Sequence, residues 1–238
     1  AQVVWYAVQG EATGDVSPAW LVAPSAEDES GSSFDLYAGG VATGRWVTPL
    51  AGKYNLGNVA AAVAAVAHGY GIEPRALREP VAQFAGVKRR QELLGKPDGV
   101  AVYDDFAHHP TAVHVTLGAL KARHPRGRLW AVFEPRSATA SRKLHQDAYP
   151  ASFEFADEVL IAPVARALPE AERLDVGQIA AELRQQGKSA EAPATLGEIE
   201  ARLLERARPG DVIALLSNGS FGGIHQRLLE ALAARARA

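Results

Sequence analysis

Residues 100–111 read VAVYDDFAHHPT. A short apolar run rich in β-branched residues ends in two adjacent carboxylates and two adjacent imidazoles. Pro110 then stands where a helix can begin, because its missing N–H and preset φ suit a first helical position. Strand, polar junction and helix in that order open a βα unit, and the pattern recurs downstream. Strand-like runs occupy 100–103, 129–133, 158–161 and 212–216, with a weaker one at 190–192. Helices are expected at 110–122, 143–153, 176–186, 196–207 and 222–235, the last with an apolar stripe of Ile224, Leu228, Leu229 and Leu232. Alternation of this kind indicates the α/β class, with a mostly parallel sheet covered by helices.

In such sheets ligands bind beyond the carboxyl ends of the strands. Three of the expected strands end in polar clusters. The first is Asp104, Asp105, His108 and His109; the second is Glu134-Pro135-Arg136-Ser137; the third is Ser217-Asn218-Gly219-Ser220 running into Phe221-Gly222-Gly223. If the strands share one parallel sheet, the clusters share an edge. The helix expected from Gly222 would then aim its free N–H groups at a ligand there. Each cluster also has a plainer explanation: a helix cap at Asp105 or His109, a surface ion pair at Glu134 and Arg136, a tight connection at 217–223. A DD…HH group suits several divalent ions, but no further His or carboxylate cluster completes a closed site, so no metal site is expected.

Before residue 91 the pattern differs. Short strands are expected at 2–8, 19–22, 34–37 and 45–47, with 25–33 (SAEDESGSS) as a polar turn or exposed loop. An Ala-rich helix follows from Tyr54 to His68, closed by Gly69 and Gly71. Another helical segment starts at Pro74, and Pro80 is expected to break or kink it. The boundary falls within 91–99, where Gly95, Pro97 and Gly99 cluster, giving domains at 1–90 and 91–238. Asn55 and Asn58, three apart, share one face of the first turn of the Ala-rich helix. Their carboxamides could serve the edge of a heterocyclic base, or simply the helix end. Lys88-Arg89-Arg90 could be a solvated patch or a phosphate contact, since guanidinium forks match phosphate oxygens.

Composition excludes several classes. A net charge of −2 carries no footprint for nucleic acid. No apolar run is long enough to span a bilayer, so no membrane partner is expected. With no cysteine there are no disulfides and no thiolate metal sites, which fits the cytosol. The phosphate-cradling pattern G-x-x-x-x-G-K-[ST] occurs nowhere in the 238 residues. The chain has no methionine and opens directly on a strand-like run, so its true N-terminus is expected upstream.

Five strings, in order, resemble the Mur ligase family of ATP-dependent amide ligases: GKYNLGNVAAA (52–62), FAGVKRRQE (84–92), YDDFAHHPT (103–111), FEPRS (133–137) and SNGSFGGIH (217–225). DDFAHHP, EPRS and SNGxFGGIH resemble most the branch that joins UDP-N-acetylmuramate to the murein tripeptide L-alanyl-γ-D-glutamyl-meso-diaminopimelate. The branch that adds L-alanine is the alternative within the family. A nucleotide- or peptide-binding module without chemistry and a metal hydrolase are the alternatives outside it. The resemblance implies the end of a central ATP-binding α/β domain followed by a complete Rossmann-like C-terminal domain. It implies a cytoplasmic enzyme of peptidoglycan recycling that uses ATP and Mg²⁺ and passes through an acyl phosphate. It further implies Asn55, Asn58, Arg90 and Asp105 at the nucleotide, and Asp105, His108 and Arg90 in catalysis. The acceptor peptide would meet His108, His109, Arg136, Ser137, Ser217, Asn218 and Gly219. Tyr54 departs from the family's common His. The main phosphate and Mg²⁺ ligands would lie in upstream domains, so this chain alone is expected to be inactive.

Overall fold

The computed structural model describes residues 3–28 and 30–237, in two compact units, Ala1–Gly86 and Val87–Ala238. In the first, β1 (Tyr6–Val8), β2 (Trp20–Asp28), β3 (Gly31–Ala38) and β4 (Val41–Thr48) form a sheet in that order, with only β1–β2 parallel. Helix α1 (Lys53–Tyr70) covers it. Leu56, Val59, Ala60 and Val63 of the helix bury against Val22, Phe34, Leu36 and Trp46. Its last turn closes on Gly71 at φ 65°, a left-handed position that glycine occupies at little cost.

Two expectations for this unit are corrected. Most of the stretch expected as a polar turn or exposed loop is strand: β2 continues to Asp28, β3 begins at Gly31, and Ala26, Glu27 and Asp28 pair with Ser33, Ser32 and Gly31. A ladder is made by backbone groups, so polar side chains do not forbid it. Glu27 is used besides, accepting from Ser32 Oγ at 3.3 Å and from Gly52 N at 3.0 Å. Pro80 does not break its helix. The chain makes a 3₁₀ turn at Pro74–Leu77 and then α2 (Arg78–Gln83), placing Pro80 in a first turn where no N–H is needed. Gln2, within the expected 2–8 strand, and Glu29, within 25–33, lie outside the described residues.

The second unit contains β5 (Glu92–Gly95), β6 (Ala101–Asp105), α3 (Pro110–Arg123), β7 (Leu129–Phe133), α4 (Tyr149–Ser152), β8 (Glu158–Ile161), α5 (Val176–Gln185), β9 (Ser189–Glu191), α6 (Leu196–Arg206), β10 (Val212–Leu216) and α7 (Ile224–Arg235). The sheet order is β5-β6-β10-β7-β8-β9, parallel except for β5. Alternate side chains feed two cores. Tyr103, Ala131, Phe133, Ile161 and Ala214 pack with α3, α4 and α5, while Val102, Trp130, Val132, Ile213 and Leu215 pack with α6 and α7. Both faces are covered, which is why these strands read as continuous apolar runs.

Three local expectations change. The segment 91–99, read as the place of a domain boundary, carries the edge strand β5, antiparallel to β6 with Glu92 opposite Asp104. The expected 143–153 helix is a 3₁₀ stretch, Lys143–Ala148, bent at His145 and followed by one turn of α4; Pro150 removes a donor that a longer helix would need. The last helix starts at Ile224, because Gly222 and Gly223 hold φ of 56° and 76°. No helix among the described residues is long and apolar enough to cross a membrane.

Candidate active site

The chain returns from β9 to insert β10 between β6 and β7. Leu216 is level with Asp105 on one side and Phe133 on the other, so the three polar clusters leave the sheet side by side. Backbone bonds tie their first residues together. Ser217 N donates to Asp105 O at 3.0 Å and Glu134 N donates to Leu216 O at 2.9 Å.

Strand alternation sends the adjacent carboxylates of β6 to opposite faces. Asp104 points to the α7 side. Arg89 Nε donates to its Oδ2 at 3.1 Å, and His225 Nε2 lies 3.2 Å from its Oδ1. Burial alone would push the Asp104 carboxyl up, but His225 and Arg89 outweigh it and hold the group below its ordinary value. Asp105 points to the α3 side. It accepts from Ala107 N at 2.7 Å, Gln91 N at 2.8 Å and Thr116 Oγ1 at 3.4 Å. Burial dominates here and pushes its carboxyl up, opposed by the two amides. Asp105 therefore clamps the residue after Arg90 and the residue before His108. Its oxygens are committed to protein donors, which fits a positioning role better than direct metal ligation.

Arg89 and Arg90 diverge. Arg89, at φ 60°, reaches back to the third cluster, donating to Ser217 O at 2.6 Å and Gly219 O at 2.7 Å. Arg90 is exposed, with its guanidinium over the Phe106 ring at 5.7 Å. Its charge also bears on the Asp105 carboxyl, favouring the ionised form.

In the second and third clusters Ser217 is fully buried and donates to Glu134 Oε2, while Gly219 N donates to Ser217 Oγ at 2.9 Å. Arg136 lies 3.7 Å from the other Glu134 oxygen and is half exposed. A Cβ on Gly219 would strike the Arg136 side chain, so this glycine is what lets Arg136 lie across the loop. Asn218 Oδ1 is buried with no hydrogen-bond partner among the described residues, an acceptor in place for a ligand donor. Ser137 Oγ accepts from Ala140 N at 3.0 Å and so begins the following turn.

His108 Nδ1 donates to Phe106 O at 3.0 Å. In the neutral ring that leaves Nε2 as a proton acceptor. The His108 carbonyl is held by buried Tyr149, whose hydroxyl donates to it at 2.8 Å. His109 caps α3, accepting from Thr111 N at 3.3 Å, and its ring meets His145 at 4.7 Å. Burial, and then the charge of His109, lower the His145 imidazole.

The second unit thus brings together Arg90, Asp105, His108, His109, Arg136, Ser137, Ser217, Asn218 and Gly219. Asn55 and Asn58 belong to the first unit. Asn55 Nδ2 donates to Ala51 O at 2.7 Å and Asn58 Nδ2 to Asn55 Oδ1 at 3.4 Å, leaving the exposed Asn58 amide with an oxygen to offer. Residue reading passed over Arg89, Glu134, His225 and Tyr149 as individual site residues. Their side-chain hydrogen bonds reach partners 15 to 130 positions away, so no local pattern marks them; the FAGVKRRQE, FEPRS and SNGSFGGIH strings held three of them. Among the described residues no three His, Cys, Asp or Glu side chains group as a metal would require.

Comparison with known proteins agrees with this architecture. The family described as "Mur ligase, glutamate ligase domain" matches residues 89–219. The UDP-N-acetylmuramate–L-alanyl-γ-D-glutamyl-meso-2,6-diaminoheptandioate ligase of Escherichia coli is 37% identical over 208 residues, covering 87% of this chain and 44% of that protein. The UDP-N-acetylmuramate–L-alanine ligase of Desulfitobacterium hafniense is 32% identical, over 84% of this chain and 45% of that one. Among solved structures, a murein peptide ligase from Psychrobacter arcticus superposes with a TM-score of 0.63 at 31% identity, covering 96% of this chain and 46% of that one. The chain spans a little under half the length of these relatives.

Proposed function

The chain belongs to the Mur ligase family, and on that premise we propose that it is the closing half of an ATP-dependent ligase that joins UDP-N-acetylmuramate to L-alanyl-γ-D-glutamyl-meso-diaminopimelate. In this reading residues 1–90 end the ATP-binding domain and 91–238 form the acceptor-binding domain, acting in the cytoplasm in peptidoglycan recycling. The observation that carries it is the strand order β6-β10-β7, which lines up the three strings most like the tripeptide-adding branch. The name of the E. coli relative points the same way.

ATP with Mg²⁺ would supply the phosphoryl group that activates the lactyl carboxylate as an acyl phosphate. Asn55 and Asn58 would take the base through their carboxamides, and Arg90 a phosphate through its exposed guanidinium. Asp105 orients Arg90 and His108 through the two amides it holds. His108, with Nε2 as acceptor, is suited to take a proton from the attacking amine. Arg136 would clamp an acceptor carboxylate. His109, Ser137, Ser217, Asn218 and Gly219 would line the path of the peptide, with Asn218 Oδ1 meeting a donor on it. These residues position the amine and neutralise charge, the two things the acyl transfer needs. With no G-x-x-x-x-G-K-[ST] loop in its 238 residues, the chain alone should not turn over ATP.

The test is phosphate release by the longer protein with ATP, Mg²⁺ and UDP-N-acetylmuramate, comparing the tripeptide with L-alanine and running the 238-residue chain as control. Release that depends on the tripeptide is expected. Release with L-alanine only would move the protein to the sister branch. Release by the chain alone would refute the division of labour.

A further inference from the structure

A cavity of about 510 Å³ opens on the same edge of the sheet beyond β8 and β9. Lys143 and Arg173 bring two cations to it, Glu170 and Asp175 two carboxylates, and Val164 and Leu174 apolar surface. Neither the Arg173 guanidinium nor the Glu170 carboxylate has a partner among the described residues. Asp175 uses only Oδ1, accepting from Gln178 N at 2.8 Å to cap α5. Cations and anions left unpaired around one hollow, with an apolar floor, describe a receptor for a zwitterion on a short hydrocarbon stem.

Resting on the proposed function, we propose that this cavity holds the far end of the acceptor peptide. Once one amino group of 2,6-diaminoheptanedioate is in the peptide bond, one ammonium and two carboxylates remain. Arg173 and Lys143 match the carboxylates, Glu170 and Asp175 the ammonium, and Val164 and Leu174 the methylenes between. The reach also matches. From β6 to β8 is three strand spacings in the order β6-β10-β7-β8, about 14 Å. An extended tripeptide spans ~10 Å of backbone, and its γ-linkage and diaminoheptanedioate side chain extend it to a similar length. The attacking amine can therefore stand at His108 while the zwitterion sits in the cavity.

The test is calorimetric titration of the full 238-residue chain and of R173Q, K143Q and E170Q. One probe is the tripeptide. The other is L-alanyl-γ-D-glutamyl-L-lysine, which keeps the far ammonium and lacks the far carboxylate. Wild type is expected to prefer the tripeptide at least tenfold. Of R173Q and K143Q, the one that removes the cation at the far carboxylate should erase that preference with little change for the lysine peptide; the other, at the carboxylate both peptides carry, should weaken both, as should E170Q. All three side chains are exposed, so melting temperatures should be unchanged. Equal affinity of wild type for the two peptides, or a preference for the tripeptide that survives in both R173Q and K143Q, would overturn the cavity while leaving the proposed function standing. Failure of wild type to bind either peptide would also overturn it, and phosphate release by the longer protein would then judge the underlying reading separately.

Discussion

Arg89 ties the site together, and removing its side chain should loosen the site measurably. Three side-chain bonds are at stake: 3.1 Å to Asp104, 2.6 Å to Ser217 O and 2.7 Å to Gly219 O. Hydrogen bonds involving a charged partner contribute about 1.5–3 kcal/mol each. The side chain is 32% exposed, so water can replace part of what is lost. An R89A cost of about 3 kcal/mol is expected, below the sum of the bonds. For a chain of this size that lowers the melting temperature by roughly 6–12 °C. The backbone supplies an internal control. Arg89 sits at φ 60°, a region that costs an L-residue about 1 kcal/mol and glycine almost nothing. R89G should therefore be less destabilised than R89A despite losing the same bonds. Scanning calorimetry of wild type, R89A, R89G, D104N and R89A/D104N separates the terms, because the double variant should cost less than the sum of the singles. An R89A transition within about 1 °C of wild type would refute the reasoning. So would strict additivity with D104N.

Because the folded protein holds Asp104 below its ordinary value of 3.8, its contribution is full above that value and lost as pH falls through the lowered one. D104N should flatten that part of the acid-unfolding curve; Asp105, pushed up, has the opposite sign and loses its contribution as pH rises through its raised value. Gly219→Ala should displace the Arg136 side chain and leave the melting temperature nearly unchanged. A tripeptide titration should show affinity down about tenfold, the worth of roughly 1.4 kcal/mol. Tyr149→Phe removes a buried donor to His108 O and should cost about 1–2 kcal/mol in urea unfolding; a change under ~0.3 kcal/mol would mean that bond does not hold His108.

The sequence by itself determined the class of the second unit and the composition of its three clusters. Apolar runs buried on both faces announce a parallel sheet, and polar residues at their ends announce its ligand edge. It also carried the helix stop at Gly71, where backbone chemistry is local. Other features were decided only by tertiary structure. Residues 25–28, 31–33 and β5 form strands because another strand offers a ladder, and no side-chain period records that. The division of labour between Asp104 and Asp105 follows from strand pleat, which sends neighbours to opposite faces. The pairing of Arg89 with Ser217 and Gly219, about 130 positions away, exists because β10 is inserted between β6 and β7. Proximity across a sheet is a property of strand order, and strand order is set by how helices of the whole domain cover both faces.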